Sequence, residues 1–95
     1  MAAAITTTGV DTTGGKVETV RNPGEPDKAF VERHFNSVEG HGVVGGSTPL
    51  ETTYPSGGSN VVVTTTQGTG ESDELFLMRH QLKVAMTMLE DPLDE

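Results

Sequence analysis

The stretch SDELFLMRHQLKVAMTMLE, residues 72–90, carries the clearest structural signal in the chain. Ser72 is a good residue for the N-terminal cap of a helix, and the two residues after it are acidic, which suits the first helical turn. Pro92 prevents the helix from continuing much further. The sequence therefore predicts a helix over residues 73–90.

Apolar residues cover most of the circumference of this predicted helix. One set follows the 3, 4, 3, 4 spacing of a coiled-coil seam over two heptads: Leu75, Met78, Leu82, Ala85 and Leu89. A second set lies on other sides of the helix: Phe76, Leu77, Val84, Met86 and Met88. A helix of this kind is normally buried on most of its sides.

Burial of the seam alone does not offset the conformational entropy lost in ordering the helix, so the second apolar set must also be covered. The rest of the sequence offers little cover, so we expect the helix to need a partner surface. The alternative is an ordinary core helix in a small α+β monomer.

The remainder of the chain is interpreted as irregular. Residues 1–25 are rich in Thr and Gly and are predicted to form an extended N-terminal arm. Residues 26–37 are predicted to form a short amphipathic helix, and residues 40–59, with many Gly and Pro, a long loop. The predicted fold class is a small, irregular α+β fold with a single β-strand, in which residues 26–95 form a small assembly domain.

That single strand is predicted at Asn60–Gln67, because six consecutive β-branched residues suit a pleated backbone. The segment Thr64–Gly68 echoes Thr6–Gly9, and the two stretches could pair as strands. One echo does not indicate a repeat architecture. The strand and the C-terminal helix supply the predicted protein interface, which comprises Leu75, Phe76, Met78, Leu82, Ala85, Met86, Leu89, Val61 and Val63.

Composition narrows the class of protein. Hydrophobic residues make up 33% of the chain, below the usual ~45–50%, so a large core is not expected. The net charge of −8 and the scattered basic residues argue against binding to nucleic acid or to anionic membranes. The sequence shows neither a signal peptide nor a membrane span, which favours a virion or cytoplasmic location.

Motifs for chemistry are weak. Residues 40–45 match G-x-G-x-x-G, but a dinucleotide site needs a preceding strand and a following helix, and neither is predicted here. Glu32, His34, Glu39 and His41 lie close in sequence without the spacing of a metal site. No nucleophile elbow occurs. We therefore expect no catalytic, cofactor-binding or metal-binding residues, and no enzymatic activity.

These observations predict a non-catalytic structural subunit of a larger protein assembly. By analogy of composition it is a small virion component, such as part of a phage head or tail, and a homo-oligomer. Its contacts with other protein subunits would use the C-terminal helix and the extended arm. The alternative is an adaptor or inhibitor whose acidic amphipathic helix docks on a single protein partner.

Overall fold

The computed structural model describes residues 3–10 and 15–94. In these residues the elements in chain order are β1 (Ala4–Val10), β2 (Gly15–Val20), α1 (Asp27–His41), β3 (Leu50–Ser56), β4 (Ser59–Thr65) and α2 (Asp73–Glu90). The strands form one antiparallel sheet with the order β2-β1-β3-β4. The chain is thus a small α+β fold with a four-stranded sheet, and the prediction of a single strand in an irregular fold is wrong.

The N-terminal segment belongs to the core of the protein and is not an extended arm. β1 is a central strand that pairs with both β2 and β3. Ile5 and Val10 of β1 are fully buried, and Val17 of β2 is nearly so. The prediction of an extended arm over residues 1–25 is therefore wrong for the described residues, because these apolar side chains are buried between the sheet and the helices. Residues 1–2 and 11–14 lie outside the described residues. The predicted pairing of the two Thr-rich stretches is also wrong, since β1 and β4 lie on either side of β3.

The predicted loop over residues 40–59 contains β3, the second central strand. Gly57 and Gly58 form a two-residue turn between β3 and β4, and both have positive φ angles, 60° and 84°. A turn with two positive φ angles matches the twist of an antiparallel hairpin. β1 pairs with residues 51–53 of β3, so Pro55 lies beyond that doubly paired region, where a missing N–H is tolerated.

The bounds of α2 agree with the prediction, whereas α1 is longer than predicted. α2 begins and ends at the predicted residues, and the Ser72 hydroxyl accepts a hydrogen bond from the Leu75 amide at 3.2 Å. α1 continues one turn beyond the predicted end at residue 37. Gly42 ends it with φ 83°, an angle that residues with a side chain rarely adopt, and donates its N–H to the Val38 carbonyl.

The chain is an internal duplication of one ββα unit. Residues 17–38 and 63–84 align without a gap at a spacing of 46 positions. The identical pairs are Val17/Val63, Thr19/Thr65, Gly24/Gly70, Glu25/Glu71, Asp27/Asp73, Phe30/Phe76, Arg33/Arg79, His34/His80 and Val38/Val84. Gly24 and Gly70 even share a positive φ, 75° and 77°. The repeat therefore specifies the same backbone as well as the same side chains.

Strand register shows that the two units are related by an approximate twofold axis between β1 and β3. Thr7 lies directly opposite Thr52 in the pairing of these strands. Each half repeats the same internal register, since Thr7 pairs with Val17 and Thr52 pairs with Val63. Both helices consequently pack on one face of the sheet, and the other face is open to solvent, with Val62 54% exposed.

The C-terminal segment after α2 is docked on the sheet rather than frayed into water. Leu93 is buried, and the Tyr54 hydroxyl donates a hydrogen bond to the Asp91 carbonyl at 2.7 Å. The Asp94 carboxylate accepts from the Gly57 amide at 2.8 Å. An acidic side chain is favourable here because it satisfies the backbone amides of the hairpin turn.

Gly9 gives a direct test of the β1–β3 packing. It lies at a register shift in β1 with φ 86°, and a Cβ added there would lie 2.4 Å from the Pro49 carbonyl oxygen. We expect Gly9→Ala to lower the free energy of unfolding by roughly 1–3 kcal/mol, measured by urea denaturation.

The matched control for Gly9→Ala is Gly40→Ala. Gly40 lies in α1, and no atom lies within 4 Å of an added Cβ. Alanine is the better helix former, so this variant should gain about 0.5–1 kcal/mol. Equal effects of the two substitutions would contradict the contact with Pro49.

Candidate protein-interaction surface

The solvent-facing side of α2 carries a continuous apolar surface. Its members are large apolar side chains that are between 57% and 84% exposed. We call this set the stripe: Leu75, Met78, Leu82, Met86 and Leu89. Single exposed apolar residues are common on protein surfaces, but a row of five on one helix is a patch of the type found at interaction sites.

The stripe lies opposite the face that α2 uses for its own core. Phe76, Leu77, His80 and Val84 are the buried residues of the helix. With 3.6 residues per turn, the five stripe residues fall within about 80° of one another, on the far side of the helix axis from His80 and Val84. The buried set therefore packs in the core of the chain, and the stripe faces solvent.

The equivalent face of α1 shows that the fold does not require an apolar surface at these positions. The repeat places Ala29, Glu32, Asn36 and Gly40 where α2 has Leu75, Met78, Leu82 and Met86. All four α1 residues are exposed to solvent. The core positions of the two helices agree, whereas the solvent-facing positions are polar or small in one helix and large and apolar in the other.

The structure separates the residues of the predicted interface into two groups. Leu75, Met78, Leu82, Ala85, Met86 and Leu89 are exposed on α2. Phe76 and Val63 are buried in the core, and Val61 is partly buried against it. The strand residues Val61 and Val63 therefore face the chain's own helices, because the side chains of β4 alternate and the apolar positions 61 and 63 lie on the inner side.

A groove between the two helices extends the apolar surface. It has a volume of about 430 Å³. Its apolar lining is Val31, Ala85, Met88 and Leu93, and the charged residues Asp27, Lys28 and Glu32 line its α1 side. Leu89 of the stripe also lines it. The C-terminal half of the stripe is thus continuous with the groove.

Beneath the helices, six buried side chains form a linear hydrogen-bond network that repeats the twofold symmetry. The His34 ring contacts the Thr19 hydroxyl through Nδ1 at 2.8 Å and the Thr7 hydroxyl through Nε2 at 2.7 Å. The His80 ring contacts Thr65 through Nδ1 at 2.8 Å and Thr52 through Nε2 at 2.6 Å. Thr7 and Thr52 join the two halves through a 2.7 Å contact between their hydroxyls.

Burial keeps both imidazole rings of this network neutral. It lowers the pKa of His34 to about 4, with smaller contributions from His80 and Arg33. Burial likewise lowers the pKa of His80 to about 4, with contributions from Lys83 and Arg79. A neutral ring donates through one nitrogen and accepts through the other, so each ring can hydrogen-bond with one hydroxyl as donor and with the other as acceptor.

Hydroxyl-to-imidazole contacts of this kind also occur in catalytic sites, but this network is enclosed. Thr7, Thr52, His34 and His80 are all fully buried. A catalytic hydroxyl must lie within reach of a bound substrate. In this structure no substrate can reach these hydroxyls, and the contacts instead fix the helices on the sheet, as buried and fully satisfied polar networks do.

One ion pair fixes the start of each helix, and the two ion pairs occupy equivalent positions of the repeat. The Glu25 carboxylate accepts from the Arg33 guanidinium at 2.7 Å, and Glu71 accepts from Arg79 at 2.8 Å. The hydrogen bonds from these arginines, and then those from backbone amides, lower the pKa of each glutamate to about 2. Arg33 and Arg79 also donate to carbonyls at the ends of the edge strands β2 and β4.

The residues considered for other chemistry are dispersed. His34 is buried in the network, and His41 hydrogen-bonds with the Ser37 carbonyl at 2.7 Å at the end of α1. Within residues 3–10 and 15–94, no three His, Cys, Asp or Glu side chains come together as metal ligands would. In the G-x-G-x-x-G segment, Gly40 is still helical and Val43 bridges to Val10, so the strand–turn–helix arrangement of a dinucleotide site does not occur there.

No helix in the described part of the chain has the combination of length and apolar composition that crossing a bilayer requires.

Comparison of the sequence with known protein families, with curated proteins and with solved structures found no match. The functional argument therefore depends on the surface of this chain.

The sequence contains a signal for the buried network that no catalytic or metal-binding motif includes. His34 and His80 recur at the spacing of the repeat, and each follows an arginine. A comparison of the chain with itself at 46 positions pairs them directly. The same comparison pairs their partners Thr19 and Thr65. Thr7 and Thr52 are 45 positions apart and are not paired by it, because their role depends on strand register.

Proposed function

We propose that this protein is a non-catalytic subunit of a larger protein assembly and that it binds other protein chains through the stripe on α2. The observation that supports the proposal is the contrast between equivalent faces of the two helices. The same scaffold position is exposed in both, and it is large and apolar in one. An exposed apolar surface that the fold does not need is best explained by a partner that covers it.

The amount of surface fits an interface of moderate strength. Full burial of a Leu or Met side chain contributes about 1.5–3 kcal/mol, so covering the exposed parts of the five stripe residues contributes about 5–10 kcal/mol. Association costs about 4–15 kcal/mol in lost freedom of motion. The stripe can therefore drive association when the partner supplies a matching apolar surface of its own.

The expected role in an assembly is kept, and the proposed contacts now lie on the stripe of α2 alone. The predicted contact through an extended arm is not proposed again, because most of the described residues of that segment form β1 and β2 of the sheet. A virion remains the predicted setting by composition, and a cytoplasmic complex would use the same stripe. An adaptor or inhibitor would also use the stripe, with one different protein as its partner.

The charged variant Leu82→Asp tests the proposal. Leu82 is at the centre of the stripe and 61% exposed, so the fold should tolerate an aspartate there within about 0.5 kcal/mol. We expect the wild-type protein to elute from size-exclusion chromatography of a native extract in a complex larger than the monomer. Leu82→Asp should elute as a folded monomer, detected by light scattering and circular dichroism.

The matched control is Asn36→Asp, which introduces the same residue at the equivalent position of α1. It adds the same charge to the same scaffold outside the stripe, and it should leave the complex unchanged. Elution of the wild-type protein as a monomer, or loss of the complex in both variants, would contradict the proposal.

A further inference from the structure

The stripe reads the same in both directions along α2. Starting from Leu82, a methionine follows four residues away on each side, at Met78 and Met86, and a leucine three residues beyond each of these, at Leu75 and Leu89. Both the residue types and the spacings are therefore symmetric about Leu82. In an antiparallel helix pair with its twofold axis at Leu82, positions at equal distances before and after Leu82 lie opposite each other, so the symmetric spacing places each stripe residue against another stripe residue.

An antiparallel pair of α2 helices matches these positions. With the twofold axis beside Leu82, this leucine meets its own copy, Leu75 meets Leu89, and Met78 meets Met86. Ridges of side chains on one helix then pack between those of the other, as in antiparallel helix pairs.

Charge also favours a second copy at this surface. The chain has a net charge of −8, so two copies repel each other, and the repulsion is smallest where the contact itself lacks acidic groups. No Asp or Glu occurs in the sequence from Leu75 to Leu89, whereas the equivalent stretch of the first repeat, residues 29–43, contains Glu32 and Glu39. At the margin of the stripe, Arg79 is paired with Glu71 of its own chain.

The edge strand β4 is a poorer contact for a second copy. Its sequence is strongly β-forming and contains no charged residue, which is typical of an edge that could pair. However, the Lys83 ammonium donates to the Thr64 carbonyl at 2.7 Å, and Arg79 donates to the Thr66 carbonyl at 2.6 Å. Basic side chains of α2 therefore occupy the carbonyls that an added strand would use.

We infer that the partner at the stripe is a second copy of this chain, bound through an antiparallel α2–α2 contact with its twofold axis at Leu82. The inference rests on the proposed function and names the partner at the same surface. One helix face from each copy makes a small interface, so the dimer should dissociate in the micromolar range, on the order of 10 μM.

A single introduced cysteine tests the symmetry of the contact, because the chain has no cysteine of its own. Leu82→Cys should form a covalent dimer in a glutathione redox buffer at a protein concentration above the dissociation constant, detected by non-reducing electrophoresis. Asn36→Cys, at the equivalent exposed position of α1, should cross-link at least about tenfold less. Equal cross-linking of the two variants would overturn the inference.

A mixing experiment tests the direction of the helices. Leu75→Cys and Leu89→Cys should cross-link with each other when mixed, and each should cross-link poorly alone, because disulfides need Cα atoms within about 7 Å. Efficient cross-linking of each variant with itself indicates parallel helices and overturns the antiparallel contact.

Sedimentation of the purified wild-type chain separates this inference from the proposed function. A monomer–dimer equilibrium that Leu82→Asp weakens at least about 100-fold supports both. A wild-type chain that stays monomeric at 200 μM overturns the second copy as partner, and the proposed function survives if the complex in extracts still depends on Leu82.

Discussion

The free energy of unfolding is expected to fall by several kcal/mol when the pH is lowered from 7 to 4. His34 and His80 have a pKa of about 4 in the folded chain, against 6.5 for an unperturbed histidine. Between these values the unfolded chain binds protons that the folded chain does not, so stability decreases as the pH falls through this window. Each ring contributes about 3 kcal/mol, because one pKa unit corresponds to about 1.4 kcal/mol.

Urea denaturation at a series of pH values measures this effect. The double variant His34→Gln with His80→Gln is the control, since its amides can still donate and accept hydrogen bonds but do not titrate. We expect this variant to be less stable at pH 7 and to lose most of the slope between pH 6.5 and pH 4. A wild-type stability that is constant across the same window would contradict the neutral network.

A second loss of stability should begin at lower pH and should persist in that double variant. The Glu25 and Glu71 carboxylates have a pKa of about 2, below the usual 4.5, because Arg33 and Arg79 donate to them. Their contribution is complete above about pH 4.5 and decreases as the pH falls through about 2. Glu71→Gln should remove part of this lower step and leave the histidine step in place.

The parts of the fold that were predictable from sequence are those with strong local signals. α2 has an N-terminal cap at Ser72 and uninterrupted helical spacing, and the structure has the helix at those residues. β3 was not predicted, because Pro49 precedes it, Pro55 lies within it, and its Thr52 and Thr53 resemble a polar loop. The Gly57–Gly58 pair is a hairpin signal in its own right, and it was interpreted as part of the loop.

The duplication was not recognised, because its two copies diverge where they face solvent. The identical residues, such as Phe30, Arg33 and His34, are scattered among core and helix-start positions. They form no continuous motif that would stand out from the neighbouring residues. The echo between Thr6–Gly9 and Thr64–Gly68 also pairs strands that are not equivalent. β1 corresponds to β3, and their hydroxyls at Thr7 and Thr52 meet across the axis.

The apolar residues of α2 were divided into two sets from sequence, but which set the chain's own sheet covers was not determined. A helix that is apolar around most of its circumference does not reveal which face its own sheet covers. The structure assigns Phe76 to the core and its neighbour Leu75 to the solvent-facing stripe. The repeat contains this information, since Phe76 matches the buried Phe30 and Leu75 matches the exposed Ala29.

Phe76→Ala is expected to lower the free energy of unfolding by about 3–5 kcal/mol, a large part of the stability of a small domain. Phe76 is fully buried between α2 and the sheet, and the Arg79 guanidinium lies 6.0 Å from its ring centre. Phe30→Ala should be at least as destabilising, because two guanidinium groups, of Arg21 and Arg33, lie within 6 Å of the Phe30 ring. Urea denaturation measures both effects.

Leu75→Ala, one residue from Phe76, is the control that separates the two faces of α2. Leu75 is 57% exposed, so this substitution should change the stability of the monomer by no more than about 0.5 kcal/mol and should weaken association instead. Opposite results, with Leu75→Ala unfolding the chain and Phe76→Ala leaving it stable, would mean that the stripe is core. The contrast between these adjacent residues therefore tests whether one helix holds the fold together with one face and binds a partner with the other.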